Sequence, residues 1–71
     1  MDRVMQLQHL EEAERHIALG KQHIADQEQI VADLLRLGQD TTEARKLLDN
    51  FYTSQALHIE HRERILKELE N

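Results

Sequence analysis

Histidine is the residue type in this sequence that offers the most chemistry, because imidazole binds transition metals and exchanges protons near neutral pH. The 71 residues include five histidines and no cysteine, which excludes thiol catalysis and zinc–cysteine sites. His9, His16 and His23 recur at intervals of seven residues, and His58 and His61 are three residues apart. Both intervals place side chains on one face of an α-helix. What these histidines can do therefore depends on the helices that carry them.

The three N-terminal histidines cannot share one metal ion. Residues two helical turns apart are separated by about 10.5 Å, whereas a ligating nitrogen lies about 2 Å from its ion. We interpret His9, His16 and His23 as residues at the edge of a helix-packing seam, with rings that cover apolar surface.

His58 and His61 could ligate one ion, because residues i and i+3 share a helical face. A short turn centred near Gln39 would pair residue i with about residue 79 − i, which puts His23 within one turn of His58. His23, His58 and His61 are thus the metal-ligand candidates, with Gln55 as an additional candidate. No inward-facing Glu-x-x-His pair of the di-iron bundle type accompanies them. The sequence therefore predicts no metal and no other cofactor.

Two long helices must position these histidines. Good helix formers dominate the chain, which contains no proline. Gly38 favours a helix end, and Asp40 with Glu43 three residues later is typical of a helix start. So short a connection makes the helices antiparallel neighbours. We predict a single all-α domain, an antiparallel two-helix hairpin of residues 1–71, with helix 1 at about 3–37, a loop at 38–40 and helix 2 at about 41–69.

Apolar residues recur every three or four positions along both predicted helices, as in coiled coils. The residues that we assign to the core and dimer seam are Leu10, Ile17, Ile24, Val31, Leu34, Leu48, Phe51, Ile59, Ile65 and Leu69. Two helices meet along one seam only, so a wide apolar face would remain in water. We therefore expect two hairpins to form a homodimeric four-helix bundle, with another protein as the alternative partner.

Polar residues interrupt the seam. Gln27, Gln55, His58 and Arg62 occupy positions that the pattern would give to apolar side chains. We interpret them as a buried polar layer that fixes register, as polar core residues do in coiled coils. Gly20 also lies in the seam, where its missing side chain indicates close packing against a bulky residue.

Composition limits the partners. A net charge of −5 does not favour nucleic acid, since binding of its phosphates needs a basic surface. No apolar run approaches the roughly 20 residues that span a bilayer. We expect a cytoplasmic protein that binds neither nucleic acid nor membrane.

Nearly the whole chain resembles short bacterial proteins of unknown function that are predicted to be helical hairpins. The resemblance implies a fold and no activity, and it rests on a string of residues in both helices: Ala13 to Ile17, Gly20, His23-Ile24, Gly38, Asp40-Thr41, Ala44, Leu47-Leu48, Phe51, Gln55, His58, His61-Arg62, Ile65-Leu66 and Glu68-Leu69.

Two short motifs resemble signalling proteins. Glu60-His61-Arg62 is similar to the phosphoacceptor box of some bacterial sensor histidine kinases, although Glu63 follows where that box leads to an asparagine. The segment from Ser54 to His58 resembles the motif of small hairpin phosphatases, with His58 in place of their working aspartate.

We therefore expect a non-enzymatic interaction or regulatory module that forms homo-oligomers. The chain has no serine–histidine–acid set and no glycine-rich phosphate loop. One alternative is a phosphorelay protein that accepts a phosphoryl group on His61. A further alternative is a metal-binding bundle that uses His58 and His61.

Overall fold

The computed structural model describes residues 2–70, which form two α-helices, α1 (Arg3–Arg36) and α2 (Thr42–Glu70), and no strand. The helices pack against each other along a rod of 53 × 14 × 13 Å. Gln6 near the start of α1 contacts Glu68 near the end of α2, so the helices are antiparallel. The predicted all-α hairpin is confirmed over the described residues.

Aspartates begin both helices. The Asp2 carboxylate accepts a hydrogen bond of 3.0 Å from the Val4 N–H, which satisfies a free donor of the first turn of α1. The Asp40 carboxylate accepts from the Thr42 hydroxyl at 2.7 Å and from the Thr42 N–H at 3.0 Å. These two bonds, the hydroxyl first, lower the pKa of Asp40 below its ordinary value. Glu43 lies 3.5 Å from Lys46 Nζ.

Gly38 reverses the chain between the helices. Its φ of 71° lies in the left-handed region that glycine adopts without strain. The Gly38 N–H donates to the Leu35 carbonyl at 3.1 Å, and the Gln39 N–H donates to the Leu34 carbonyl at 2.9 Å. This pair of bonds is the Schellman arrangement that satisfies the last carbonyls of a helix.

The register of the hairpin differs from the one expected from a turn centred on Gln39. His16 faces His58, and Gln6 faces Glu68, so paired residue numbers add to 74 instead of about 79. The shift exceeds one helical turn. It arises because the chain after Gly38 runs back beside the last turn of α1 before α2 begins at Thr42.

The core between the helices is thin. Its buried apolar residues are Ala13, Ile17 and Ile65, and three glutamines are buried beside them. No large side chain of residues 2–70 is fully buried. The other predicted seam residues are half-buried, except Ile59, which is 39% exposed.

Candidate functional site

Two grooves run along opposite sides of the hairpin. We call the first the histidine groove. Its volume is about 410 Å³, and it is lined by His16, Leu19, Gly20 and His23 of α1 and by Phe51, Ser54, Gln55 and His58 of α2. We call the second the charged groove. Its volume is about 500 Å³, and it is lined by Ile17, Lys21, Ile24, Ala25 and Glu28 of α1 and by Gln55, Ile59 and Arg62 of α2.

Three imidazoles lie in the histidine groove. The rings of His16 and His58 meet across the helix pair, with centroids 5.4 Å apart and planes tilted by 46°. One level nearer the turn, the His23 ring packs on Phe51 with centroids 5.7 Å apart. The groove thus combines apolar side chains with three imidazole rings from both helices.

The other two histidines lie on the same side of the hairpin. His9 is seven residues before His16, and its Nδ1 lies 3.3 Å from Gln6 Oε1. His61 is seven residues after Ser54 and is exposed. All five histidines therefore follow the flank that contains the histidine groove, an arrangement that intervals along a single helix did not predict.

The metal-ligand candidates are not brought together. The register shift places His23 against Phe51, while the neighbour of His58 across the helices is His16. Within residues 2–70 there is no group of three or more histidine, aspartate or glutamate side chains that could hold a metal ion.

Gln55 lies between the two grooves and joins the helices. Its Nε2 donates a hydrogen bond of 2.9 Å to the Ile17 carbonyl, and the residue is 8% exposed. Its Oε1 is buried and accepts no hydrogen bond from the described residues. A Cβ on Gly20 would lie 1.9 Å from this oxygen. A side chain at position 20 would therefore have to displace the Gln55 amide, which is the bulky group packed against Gly20.

Gln27 and Gln6 join the helices at other levels. Gln27 Nε2 donates to the Ala44 carbonyl at 3.0 Å, and Gln6 donates to the Glu68 carboxylate. The predicted polar residues are therefore spread along the seam and do not form one layer at a single level. The reason is again the register, which places Gln27 near Ala44 and far from Gln55.

Arg62 and Tyr52 belong to the other side of the hairpin. Arg62 Nη2 lies 2.9 Å from Glu63 Oε1, while its Nε is buried and finds no acceptor among residues 2–70. The Tyr52 hydroxyl donates a hydrogen bond of 2.5 Å to Glu28 Oε2. That bond, with smaller contributions from desolvation and nearby negative charge, raises the pKa of Tyr52.

Neither helix has an apolar stretch long enough to cross a membrane, within the part of the chain that the structure describes. Comparison with protein-family models, with curated proteins and with solved structures finds no match to this chain.

Proposed function

We propose that two copies of this hairpin associate into a four-helix bundle, and that the bundle is a non-enzymatic interaction module. The observation that supports this proposal is the area of exposed surface. A compact monomer of 8.4 kDa exposes about 4,600 Å². The hairpin exposes 5497 Å², an excess of about 900 Å². A specific interface buries about 800 Å² on each partner, so pairing with one further copy would remove this excess.

The character of the exposed residues supports the same conclusion. Leu37 is 66% exposed, Leu57 is 58% exposed and Leu19 is 57% exposed. All three lie on the flank that carries the histidines, as their spacing from His23, Ser54 and His16 shows. Leu7 and Leu35, in heptad register with Lys21 and Glu28 on the opposite flank, are also exposed, and apolar surface of this extent is typical of a protein that another chain covers.

Sedimentation equilibrium at neutral pH tests the proposal. We expect a species of twice the 8.4 kDa chain mass that persists on dilution through the micromolar range. A monomer throughout that range would contradict self-association. It would instead favour a different protein as the occupant of the apolar face, which is the alternative that the sequence left open.

A second candidate is phosphoryl transfer to His61, which the exposure of this residue favours. A phosphoacceptor histidine has to be reached by a donor protein, and a buried His61 would be incompatible with that role. Incubation with phosphoramidate would break its P–N bond and form a new one on the imidazole, with release of ammonia. We would expect an acid-labile phosphate that His61→Gln abolishes and His9→Gln retains. An unlabelled chain would remove this candidate.

A further inference from the structure

We propose that the second copy docks on the histidine groove, so that the three groove histidines make self-association dependent on pH. The inference rests on the proposed self-association and specifies its face. The histidine groove and the charged groove have similar volumes, about 410 Å³ and about 500 Å³, so size does not choose between them. The chemical character of the residues that line the grooves distinguishes them as docking faces.

Charge distinguishes the two grooves. The charged groove is lined by Lys21, Glu28 and Arg62, whereas none of the residues that line the histidine groove carries a formal charge at neutral pH. Covering the charged groove would remove the charged groups of Lys21, Glu28 and Arg62 from water, and the centres of protein interfaces are depleted of charged residues. The histidine groove is thus the face that a second copy covers at lower cost in desolvation.

The position of Leu19 is suited to contact between identical copies. Leu19 lines the histidine groove and is 57% exposed, and the adjacent Gly20 adds no side chain to the groove. Both residues lie near the middle of α1 (Arg3–Arg36). A two-fold axis near this level would place Leu19 of each copy over the groove of the other, which gives a self-complementary interface.

Protonation of the groove histidines would oppose this contact, because covering an imidazolium costs far more than covering a neutral ring. The charged groups nearest to His16 and His23 on α1 are Glu12 and Asp26, one turn away on the outer edge.

On α2, the titratable groups near His58 are His61, on the same flank, and Arg62, whose side chain lies towards the charged groove. Protonation of all five histidines would also reduce the net charge from −5 to zero, which weakens the general repulsion between copies. This second effect acts in the opposite direction and is reduced by about 0.15 M salt, where the screening length is about 8 Å.

The face is tested by a matched pair of substitutions in exposed side chains. We expect Leu19→Glu to convert the dimer into a helical monomer at neutral pH. Ile59→Glu, the control in the charged groove, should leave the dimer intact. If Ile59→Glu dissociates the dimer and Leu19→Glu does not, the interface lies in the charged groove and only this inference fails. A wild-type chain that is already monomeric would instead overturn the proposed function.

The pH dependence is tested by sedimentation equilibrium at pH 7.5 and pH 5.5 in the same salt. Each histidine that must lose its proton on docking weakens association about tenfold at one pH unit below the ordinary histidine pKa of about 6.5. With several such residues, we expect the dissociation constant to rise at least about a hundredfold at pH 5.5.

A triple variant, His16→Gln, His23→Gln and His58→Gln, should remain dimeric and lose most of this dependence. A variant with His9→Gln alone should retain it. A wild-type dissociation constant that does not change between the two pH values would overturn the proposal, as would an unchanged pH dependence in the triple variant. Circular dichroism at each pH distinguishes dissociation from unfolding.

Discussion

The two grooves of this hairpin are formed by the same two helices, but the side chains that line them differ in charge. Both lie between α1 and α2, and Gln55 lines both. One side carries the histidines and has no formally charged lining residue, while the other carries Lys21, Glu28 and Arg62. The comparison teaches that the two faces of a two-helix hairpin can differ in desolvation cost. Another copy can cover one face at low cost, whereas covering the other would remove charged side chains from water.

The largest effect expected on the folded hairpin comes from the floor of the histidine groove. In Gly20→Ala the new Cβ displaces the Gln55 amide, which breaks the hydrogen bond from its Nε2 to the Ile17 carbonyl. Alanine is normally favoured over glycine within helices by about 1 kcal/mol. We nevertheless expect the free energy of unfolding in urea to fall by about 1–2 kcal/mol.

A second substitution separates this mechanism from a general effect of alanine. Gln55→Ala removes the obstructing amide, so Gly20→Ala in that background should restore the usual stabilisation by alanine, about 1 kcal/mol. Additive effects of the two substitutions would show that Gly20 and Gln55 are not coupled.

Substitution of Gln27 should have a smaller effect on the free energy of unfolding, and in the opposite direction. Its amide bonds to the Ala44 carbonyl, which as a helical carbonyl also has a partner within α2. Gln27→Leu should therefore exchange a buried amide for apolar packing and raise the free energy of unfolding by about 1 kcal/mol. The same substitution should make the register between the helices less well defined. Chemical denaturation measures the first expectation, and an increase in populated oligomeric species measures the second. A loss of stability would mean that the bond to Ala44 contributes more than apolar packing can replace.

The charged groove gives a spectroscopic prediction. Tyr52 is the only tyrosine and the chain has no tryptophan, so ultraviolet absorbance reports its ionisation alone. Its hydrogen bond to Glu28 raises the pKa of Tyr52 above the ordinary value of 10.0. Glu28→Gln should therefore shift the titration midpoint downwards, while Glu14→Gln, two heptads away on the same side, should leave it unchanged. Equal midpoints in wild type and Glu28→Gln would contradict the contact.

The smallest effect concerns the start of α2, outside both grooves. The pKa of Asp40 is lowered in the folded chain by its bonds to Thr42, so the carboxylate contributes stability above its unfolded pKa of 3.8. This contribution is lost as the pH falls through the folded pKa. Asp40→Asn should reduce the change in melting temperature between pH 5 and pH 2, with little change at pH 7 because asparagine also caps helices. An unaltered acid profile would show that Asp40 does not contribute.

The sequence predicted the helices well because their signals are local. Gly38 ends α1 through its own backbone conformation, and good helix formers need no distant partner. Register is not local, and here it depends on how far the chain runs back after Gly38. An error of five residues in the register was sufficient to predict that His23 lies opposite His58, whereas the structure places His16 opposite His58.

The candidate site was predictable only in part for the same reason. The polar residues in the seam are visible in the sequence, but their partners are backbone carbonyls of Ile17 and Ala44, which no side-chain pattern reveals. The heptad spacing of α2, from Ala44 through Phe51 and His58 to Ile65, was a usable signal. Aligned with that of α1, it would have placed all five histidines on one flank.

The most direct test of docking on the histidine groove uses the absence of native cysteines. Ser54→Cys places a spin label in the histidine groove, and Ala25→Cys places one in the charged groove; both native residues are exposed. Pulsed electron–electron double resonance at neutral pH measures the distance between the spin labels on two copies. We predict a shorter intermolecular distance for Ser54→Cys than for Ala25→Cys, lost at pH 5.5. A shorter distance for Ala25→Cys, or no intermolecular coupling in either variant, would contradict the account.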